Sequence, residues 1–378
     1  MIILGSTGSI GVNALEIAKK YHWEVETLSA GKNIALLNQQ ISLHKPQRIV
    51  IADKADLKKI DSNYKGKIYF GENGILEAIA DSKSQLVLNA LVGFLGFKPT
   101  LCAIDANKKV ALANKESLVV AGEFIHREKI IPIDSEHFSL SYLMNFKANP
   151  RPFKRLCITA SGGAFRDLEL TQIAKQSAKE ALKHPNWKMG EKITIDSATM
   201  MNKLFEILEA FWLFKSKNID AYIERNSHIH ALVEFFDGSV VAHFANANMQ
   251  LPIAYALAFG LGLDEIFLSD FKESLIPSLN FCDMNYRLEK IDPLRYPLWA
   301  LKEKLLENPK QGVILNASNE VAVYAFLQNK ISFGDISKIV FKSLENFENP
   351  HYTSIDELIH LDKEVRIYAN EFLKTLKV

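Results

Sequence analysis

The sequence predicts an α/β protein in three parts: an N-terminal Rossmann-like domain built on a parallel sheet, an α+β domain, and a C-terminal α-helical domain. Three observations favour this architecture. Up to residue 130, short β-branched runs alternate with helix-length segments, as in a parallel sheet. Residues 228–244 show the alternation and the Asp-Gly turn of a hairpin. Beyond residue 297, apolar residues recur at helical spacing.

Composition argues against several classes of protein. The chain has 378 residues, 48% hydrophobic and 24% charged, which is typical of a globular protein with more than one domain. A net charge of +1 leaves no excess of Lys and Arg for nucleic-acid binding. The 3 cysteines lack Cys-x-x-Cys spacing and predict reduced thiols. With no signal region and no run of about eighteen apolar residues, we expect a cytoplasmic protein that binds neither membranes nor nucleic acids.

The first strand, at residues 1–4, leads into Gly-Ser-Thr-Gly-Ser-Ile-Gly at residues 5–11 and then a helical pattern at residues 12–21. Glycines let a backbone approach a pyrophosphate, and a helix N-terminus offers unpaired N–H groups to it. This placement favours a dinucleotide site, and a plain strand-to-helix turn is the alternative.

The loop after the second strand bears on cofactor choice. That strand is predicted at residues 25–28, and residues 29–33 contain no acid to bind a ribose 2′-hydroxyl. Lys32 and Asn33 instead suit a 2′-phosphate, which favours NADPH over NADH. A solvated loop lysine is the alternative.

Four further strands are predicted in this part of the chain, at residues 48–52, 67–70, 86–90 and 109–114. Lys115 follows the last of them, at the carboxyl end where parallel sheets bind ligands. It can meet a substrate or cofactor oxygen, or it is an unremarkable loop lysine.

An acidic pair follows the last strand of the first domain. Residues 131–137 read Ile-Pro-Ile-Asp-Ser-Glu-His and are predicted to carry a strand to its end. Side chains two apart share a strand face, so Asp134 and Glu136 would point into one space. Carboxylate oxygens suit Mg²⁺ or Mn²⁺ better than Zn²⁺. A solvated acidic strand edge is the competing interpretation.

Two loops are candidates for substrate binding. The Ser-Gly-Gly loop at residues 161–163, after a strand at residues 155–159, exposes N–H groups and the Ser161 hydroxyl to an anion, although a structural turn fits equally well. Residues 184–190, His-Pro-Asn-Trp-Lys-Met-Gly, have no period and predict a mobile flap. Packing of the Trp and Met beneath the loop is the alternative.

A strand is predicted at residues 192–196 and a helix at residues 197–210. On that helix Asn202, Lys203 and Glu206 share one polar face, either a binding face or an exposed ion-paired surface. The hairpin contains three histidines that we interpret as sheet-face residues rather than metal ligands, because no carboxylate or cysteine accompanies them: His228, His230 and His243.

These motifs together resemble the 1-deoxy-D-xylulose 5-phosphate reductoisomerase family, over essentially the whole chain. The matching stretches occur in one order and are separated by long intervals. They are residues 5–11, 113–117 (Ala-Asn-Lys-Glu-Ser), 134–137 (Asp-Ser-Glu-His), 161–163, 184–187 (His-Pro-Asn-Trp), 196–203 (Asp-Ser-Ala-Thr-Met-Met-Asn-Lys) and 316–320 (Asn-Ala-Ser-Asn-Glu).

The resemblance implies an enzyme of the methylerythritol phosphate route to isoprenoids. It would rearrange 1-deoxy-D-xylulose 5-phosphate and reduce it with NADPH to 2-C-methyl-D-erythritol 4-phosphate, as a homodimer. Asp134, Glu136 and Glu206 would bind one Mg²⁺, Mn²⁺ or Co²⁺, which would chelate two substrate oxygens. Lys115, Glu136 and His184 would be catalytic.

The resemblance also implies contacts for both small molecules. The substrate would be bound by Lys115, Ser135, Glu136, Ser161, His184, Trp187, Ser197, Asn202, Lys203 and Glu206. The cofactor would be bound by Thr7, Gly8, Ser9, Ile10, Gly31, Lys32, Asn33, Asn114, Glu116 and Gly190.

The sequence also predicts the domain limits. We expect an NADPH-binding domain at residues 1–130, a catalytic and metal-binding domain at 131–270 with its flap near 184–191, a connector at 271–297 and a helical domain at 298–378. Helices are predicted in the last domain at residues 298–306, 317–328, 333–346 and 354–375.

The chain departs from the usual family pattern at two positions. Ala164 replaces a proline and Leu204 replaces a glycine, and we expect effects on packing and substrate affinity rather than loss of activity. Two other functions are alternatives, and both are disfavoured because the cofactor loop and all three carboxylates are present together. Another NADPH-dependent dehydrogenase of a small substrate would not need all three carboxylates, and a non-catalytic nucleotide-sensing protein could lose them freely.

Overall fold

A computed structural model describes residues 1–144, 152–269, 274–280, 282 and 285–376. The chain folds into two compact units. The first contains Met1–Ser117, Ile125–Phe138 and Asn248–Ser278, and the second contains Leu118–Phe124, Ser139–Ala247 and Leu279–Val378. Residues 271–273, 281, 283 and 284 of the predicted connector lie outside the described residues.

The regular elements account for most of the described chain. The strands are β1 (Ile2–Leu4), β2 (Thr27–Ala30), β3 (Arg48–Ile51), β4 (Lys67–Phe70), β5 (Leu86–Asn89), β6 (Lys109–Leu112), β7 (Ile130–Pro132), β8 (Phe153–Ala160), β9 (Ile219–Ile223), β10 (Ile229–Phe235), β11 (Val240–Phe244) and β12 (Glu289–Lys290). The α-helices are α1 (Ser9–Lys20), α2 (Ile34–His44), α3 (Gly71–Ala80), α4 (Phe97–Asp105), α5 (Lys115–Ala121), α6 (Ser135–Met144), α7 (Leu170–Ile173), α8 (Ala178–Ala181), α9 (Glu191–Thr199), α10 (Met201–Phe214), α11 (Gln250–Leu261), α12 (Asp264–Ser269), α13 (Lys302–Glu307), α14 (Gly312–Leu327), α15 (Phe333–Asn346) and α16 (Ile355–Thr375).

The first unit is built on a seven-stranded sheet in the order β4-β3-β2-β1-β5-β6-β7. Every pair of neighbouring strands in it is parallel. The predicted Rossmann-like architecture is therefore confirmed. The chain leaves β1 on one side for β2 and returns on the other side at β5, and sheets of this kind bind ligands at the carboxyl ends of the strands beside such a reversal.

The core of the first unit forms because apolar residues of the strands meet apolar faces of helices. Ile3 and Leu88 of the sheet are buried together with Leu15 of α1 and Leu257 of α11. The hydrophobic effect fixes these helices against the sheet and so fixes the loops that follow β1 and β2.

The second unit contains a five-stranded mixed sheet in the order β11-β10-β8-β9-β12. Strands β10 and β11 form the predicted hairpin, with Gly238 of its turn at φ +84. Helices α13 to α16 confirm the helical C-terminal region, and the capping box of Ser332 and Asp335 fixes the start of α15. No helix among the described residues is long and apolar enough to cross a bilayer.

The strand predicted at residues 192–196 is wrong. Residues 192–196 belong to α9, because Lys192 and Asp196 pair at 3.0 Å across one helical turn while Thr194 and Ile195 between them are buried. The helix predicted at residues 197–210 is two helices, since Met200 adopts φ +64 between α9 and α10. Alternation of Ile and polar residues therefore misled the strand prediction.

A buried carboxylate joins loops of the first unit. Glu26, 7% exposed, accepts hydrogen bonds from the Ser82 hydroxyl at 2.8 Å and the Ser84 backbone N–H at 3.0 Å, and pairs with Arg48. Burial acts to raise its pKa, but the hydrogen bonds from Ser84 and Ser82, the Lys83 N–H and the Arg48 charge outweigh burial and lower the pKa to about 2.

We expect Glu26→Gln to destabilise the protein by about 1–3 kcal/mol at pH 7, because it leaves Arg48 without its charge partner. Since the folded pKa of about 2 lies below the ordinary 4.5, the stabilisation is complete above pH 4.5 and is lost as the pH falls towards 2. Urea unfolding at pH 7 and pH 3 measures both effects. The exposed neighbour Glu24, changed to Gln, is the control, and an equal loss in both variants would contradict the prediction.

Candidate active site

The loop after β1 makes a tight turn at the start of α1. Gly5 has φ +77, and a Cβ there would lie 2.7 Å from the carbonyl oxygen of Ala90. A Cβ on Gly11 would lie 2.4 Å from the Gly5 oxygen. Neither position accommodates a side chain. The candidate cofactor residues at this turn are all at least partly exposed: Thr7, Gly8, Ser9 and Ile10.

The first turn of α1 has no side-chain cap, because Gly8 occupies the capping position. Backbone N–H groups in this situation, at the positive end of the helix dipole, bind phosphate oxygens. This part of the structure therefore suits the pyrophosphate that the sequence predicted.

The loop after β2 contains Gly31, Lys32 and Asn33, all exposed. The Asn33 carboxamide oxygen accepts the Leu36 N–H at 3.1 Å and so caps α2. A Cβ on Gly31 would meet no atom within 4 Å, so there is open space beside this loop. The Lys32 ammonium is the charged group here, and it fits a 2′-phosphate better than a 2′-hydroxyl.

Asn114 and Glu116 lie at the carboxyl end of β6 and are buried. The Asn114 amide donates to the carbonyl oxygens of Leu91 and Gly93, both at 2.9 Å, and to Glu116 at 3.0 Å. Asn114 therefore shapes the loop after β5.

The acidic pair lies at the start of a helix and not along a strand. Strand β7 ends at Pro132, and the Asp134 carboxylate caps α6 by accepting the N–H groups of Glu136 at 3.1 Å and His137 at 3.3 Å. The predicted strand geometry is wrong here, because Asp is a strong helix N-cap. The pairing of Asp134 with Lys115 also brings a buried ammonium to this point.

Neighbouring groups complete this cluster of the first unit. Ser135 donates to the Glu136 carboxylate at 2.7 Å, and the fully buried ring of His137 places Nδ1 3.0 Å from Asp134. Lys115, Asp134, Ser135 and Glu136 are therefore brought together, as predicted. The donor atoms are oxygens, which a hard divalent cation prefers.

In the second unit, three residues predicted for the substrate come together. His184 Nε2 lies 2.9 Å from the Ser161 hydroxyl and 3.1 Å from the Ser197 hydroxyl. Gly163, at φ +68, permits this arrangement, because a Cβ there would lie 2.7 Å from the Ser197 carbonyl oxygen. The Ser-Gly-Gly loop at residues 161–163 therefore lies directly against the end of α9.

The protonation of His184 follows from its contacts. Its Nδ1 accepts the backbone N–H groups of Asn186 at 3.2 Å and Trp187 at 2.9 Å, so the proton of the neutral ring is on Nε2, between the two serines. Burial, and then the nearby charge of Arg166, lower the pKa of His184 to about 4. The imidazole is therefore neutral at physiological pH.

The flap residues have no helix or strand, in agreement with the sequence. The Asn186 amide donates to the Arg225 carbonyl oxygen at 2.8 Å and the Ser227 hydroxyl at 2.7 Å, which fixes the flap to the segment before β10. The Trp187 ring lies 6.2 Å from the His230 ring. The candidate cofactor residue Gly190 is exposed and immediately precedes α9.

The polar face of α10 is buried. The Asn202 amide donates to Glu206 at 2.5 Å, and Lys203 pairs with the same carboxylate, with both charged side chains 2% exposed. An exposed ion-paired surface is therefore ruled out for these residues. Leu204, one of the two departures from the family pattern, is fully buried beside them.

The candidate metal ligands belong to different units, with Asp134 and Glu136 in the first and Glu206 in the second. The candidate cofactor residues all belong to the first unit, except Gly190, which belongs to the second.

Sequence reasoning missed several residues that hold the site in place. The Asn319 amide donates to Asp196 at 2.8 Å, next to Ser197, and Arg166 donates to the Ser161 carbonyl oxygen at 2.7 Å. Asp196 and Asn319 each lie in a stretch that carried the family resemblance, so a signal for both was present. Only the fold reveals that they touch.

Known proteins match the chain over nearly its whole length. Three family models match the chain: 1-deoxy-D-xylulose 5-phosphate reductoisomerase over residues 1–122, its C-terminal domain over residues 130–214, and the DXP reductoisomerase C-terminal domain over residues 244–368. A 1-deoxy-D-xylulose 5-phosphate reductoisomerase from Wolinella succinogenes is 53% identical over 372 residues, covering 98% of this chain and 100% of that protein.

Solved structures give the same result. A DOX-P reductoisomerase in complex with NADPH, fosmidomycin and magnesium has 32% sequence identity and a TM-score of 0.89, covering 99% of this chain and 98% of the other. The reductoisomerase from Zymomonas mobilis in complex with NADPH has 34% identity and a TM-score of 0.86, covering 99% of each chain. The chain belongs to the 1-deoxy-D-xylulose 5-phosphate reductoisomerase family.

Proposed function

We propose that this protein is an NADPH- and divalent-metal-dependent enzyme that converts 1-deoxy-D-xylulose 5-phosphate into 2-C-methyl-D-erythritol 4-phosphate. One observation carries the proposal: the chain matches a reductoisomerase over 98% of its length at 53% identity. The glycine loop, the three carboxylates, the serine pair and the flap are all present in this chain. The reaction supplies precursors for isoprenoid synthesis.

The metal ligands are proposed to be Asp134, Glu136 and Glu206, with Mg²⁺, Mn²⁺ or Co²⁺ as the ion. Three carboxylates form a hard, oxygen-rich donor set, and a structural relative was solved with magnesium. When bound, the ion polarises substrate oxygens as a Lewis acid and NADPH donates the hydride. The Lys115 ammonium, held against Asp134, stabilises negative charge that develops on a substrate oxygen.

The substrate phosphate is proposed to bind where Ser161 and Ser197 face His184. The two hydroxyls and the Nε2–H of the neutral imidazole are hydrogen-bond donors to phosphate oxygens. Asn202 and Lys203 add an amide and a cation. Trp187 closes with the flap and excludes water, which strengthens charge interactions in the site. Ser135 binds a substrate oxygen.

NADPH is proposed to bind along the carboxyl ends of β1, β2 and β6. The glycine loop binds the pyrophosphate and Lys32 binds the 2′-phosphate. The full set of proposed contacts is Thr7, Gly8, Ser9, Ile10, Gly31, Lys32, Asn33, Asn114, Glu116 and Gly190.

The protein is proposed to be a cytoplasmic homodimer with domain limits near residues 130, 270 and 297. Strand β11 supports the dimer, because it ends the second sheet and, in the described chain, pairs only with β10. Its neighbourhood exposes large apolar side chains: Phe236 is 71% exposed, Val240 55% and Phe244 42%. An apolar edge strand of this kind is covered in stable proteins.

Activity is tested by the loss of NADPH absorbance on adding 1-deoxy-D-xylulose 5-phosphate with Mn²⁺. We expect turnover that stops with a chelator and returns with metal. Glu206→Gln should lower kcat at least ~100-fold and weaken Mn²⁺ binding in calorimetry, because it removes a proposed ligand. Glu209→Gln, a buried carboxylate one turn along α10, is the matched control. Turnover that persists in thoroughly chelated protein would refute the metal requirement.

The neutral state of His184 has a measurable consequence. NMR of the labelled imidazole in the free protein should show titration near pH 4, with Nε2 protonated at pH 7. Because the unfolded chain takes up this proton near the ordinary pKa of 6.5, acidification from pH 6.5 towards 4 should destabilise the fold. His184→Gln should flatten that dependence. A ring that titrates above pH 6 in the folded protein would show that these contacts do not hold in solution.

The dimer proposal is tested by light scattering on purified protein. Val240→Lys places a charge on the edge strand and should convert the dimer to monomer. Ile367→Lys, on an exposed position of α16, is the control and should remain dimeric. A monomeric wild-type protein, or a dimer unaffected by Val240→Lys, would rule out β11 as the interface.

A further inference from the structure

Gln40 joins the two loops that we propose to bind NADPH. It lies on α2, two turns after Asn33, and its side chain reaches the loop that follows β1. The Gln40 amide donates to the Ser6 carbonyl oxygen at 2.8 Å, and the Ser6 hydroxyl donates to the Gln40 carboxamide oxygen at 2.7 Å. Gln40 is 6% exposed and Ser6 is fully buried, so water does not compete for these bonds.

The hydrogen bond to Ser6 determines where the next N–H points. A trans peptide group is planar, with its C=O and N–H directed oppositely. With the Ser6 carbonyl directed at Gln40, the N–H of Thr7 is directed away from Gln40. Thr7 is the first residue of the loop at residues 5–11 that we propose as a cofactor contact. Gln40 therefore orients a backbone N–H group that we propose as a hydrogen-bond donor to the pyrophosphate, and it does so without touching the cofactor.

The other side of the same loop is fixed by β2. The Gly5 N–H donates to the Ser29 hydroxyl at 2.9 Å, and the Ser6 N–H donates to the Ser29 carbonyl oxygen at 2.8 Å. Gln40 supplies the corresponding hydrogen bonds from α2, whose first turn follows Lys32 and Asn33. Its surroundings are apolar, with Leu37 and Ile41 beside it in the core. A residue needed only for packing would not require an amide here.

We propose that Gln40 is a positioning residue for cofactor selectivity. It fixes the position of the loop at residues 5–11, which is proposed to bind the pyrophosphate, relative to the loop at residues 31–33, which is proposed to bind the 2′-phosphate. NADPH can then contact both loops at once. This inference rests on the proposed binding of the 2′-phosphate by Lys32. NADH lacks that phosphate and gains nothing from the correct spacing of the two loops. Loss of these hydrogen bonds of Gln40 therefore weakens NADPH binding more than NADH binding.

The test measures dissociation constants of both cofactors by calorimetry, without substrate. Gln40→Met keeps the length of the side chain and removes both hydrogen bonds. We expect NADPH affinity to fall about tenfold and the preference for NADPH over NADH to fall at least about fivefold. Gln39→Met is the matched control, since Gln39 is the exposed neighbour on the same helix, and its preference should be unchanged.

Several outcomes would overturn the inference. Equal weakening of NADPH and NADH would mean that Gln40 only stabilises the loop, and an unchanged preference would mean that it does not couple the two loops. If Gln40→Met does not fold, Gln40→Glu keeps the size of the side chain and the acceptor for the Ser6 hydroxyl but replaces the amide that donates to the Ser6 carbonyl oxygen, and an unchanged preference in that variant refutes the inference. Wild-type protein without any preference would refute both the Lys32 assignment and the inference, whereas a preference that survives Gln40→Met refutes the inference alone.

Discussion

A carboxylate that is removed from water must be paired, and this constraint shapes the candidate active site. Three acidic side chains in the site or beside it are largely buried, and each lies against a lysine: Asp134 with Lys115, Asp196 with Lys192, and Glu206 with Lys203. An unpaired buried charge is costly, so the lysines supply the charge partners that orient these groups. In each unit the acidic side chains are therefore already members of charge pairs.

Much of the fold was predictable because its signals are local. Seven short apolar runs separated by helical patterns define the parallel sheet, and the glycine loop after β1 lies where a phosphate site was expected. The Asp-Gly turn defined the hairpin. These signals work because the period of a strand or helix and the backbone demands of a turn are properties of a few adjacent residues.

Alternation alone was ambiguous at two places. Asp134 and Glu136 are two residues apart, which fits one face of a strand, but Asp134 caps a helix and Glu136 lies in its first turn. Residues 192–196 alternate in the same way and are helical. Contacts between distant segments gave no local signal at all. Gln40 is 34 residues from Ser6, and Asn319 is 123 residues from Asp196, so only the folded chain reveals these ties.

The close fit of Gly163 against Ser197 limits which amino-acid substitutions this protein can accept during evolution. A side chain at residue 163 would collide with the Ser197 carbonyl oxygen and the backbone of Ala198, and the left-handed backbone there adds a further cost. Substitution would separate the two serine hydroxyls that meet at His184. Resistance to an inhibitor whose acidic group binds these hydroxyls would therefore not arise by substitution of Gly163, because the substitution would also disturb the protein's own site.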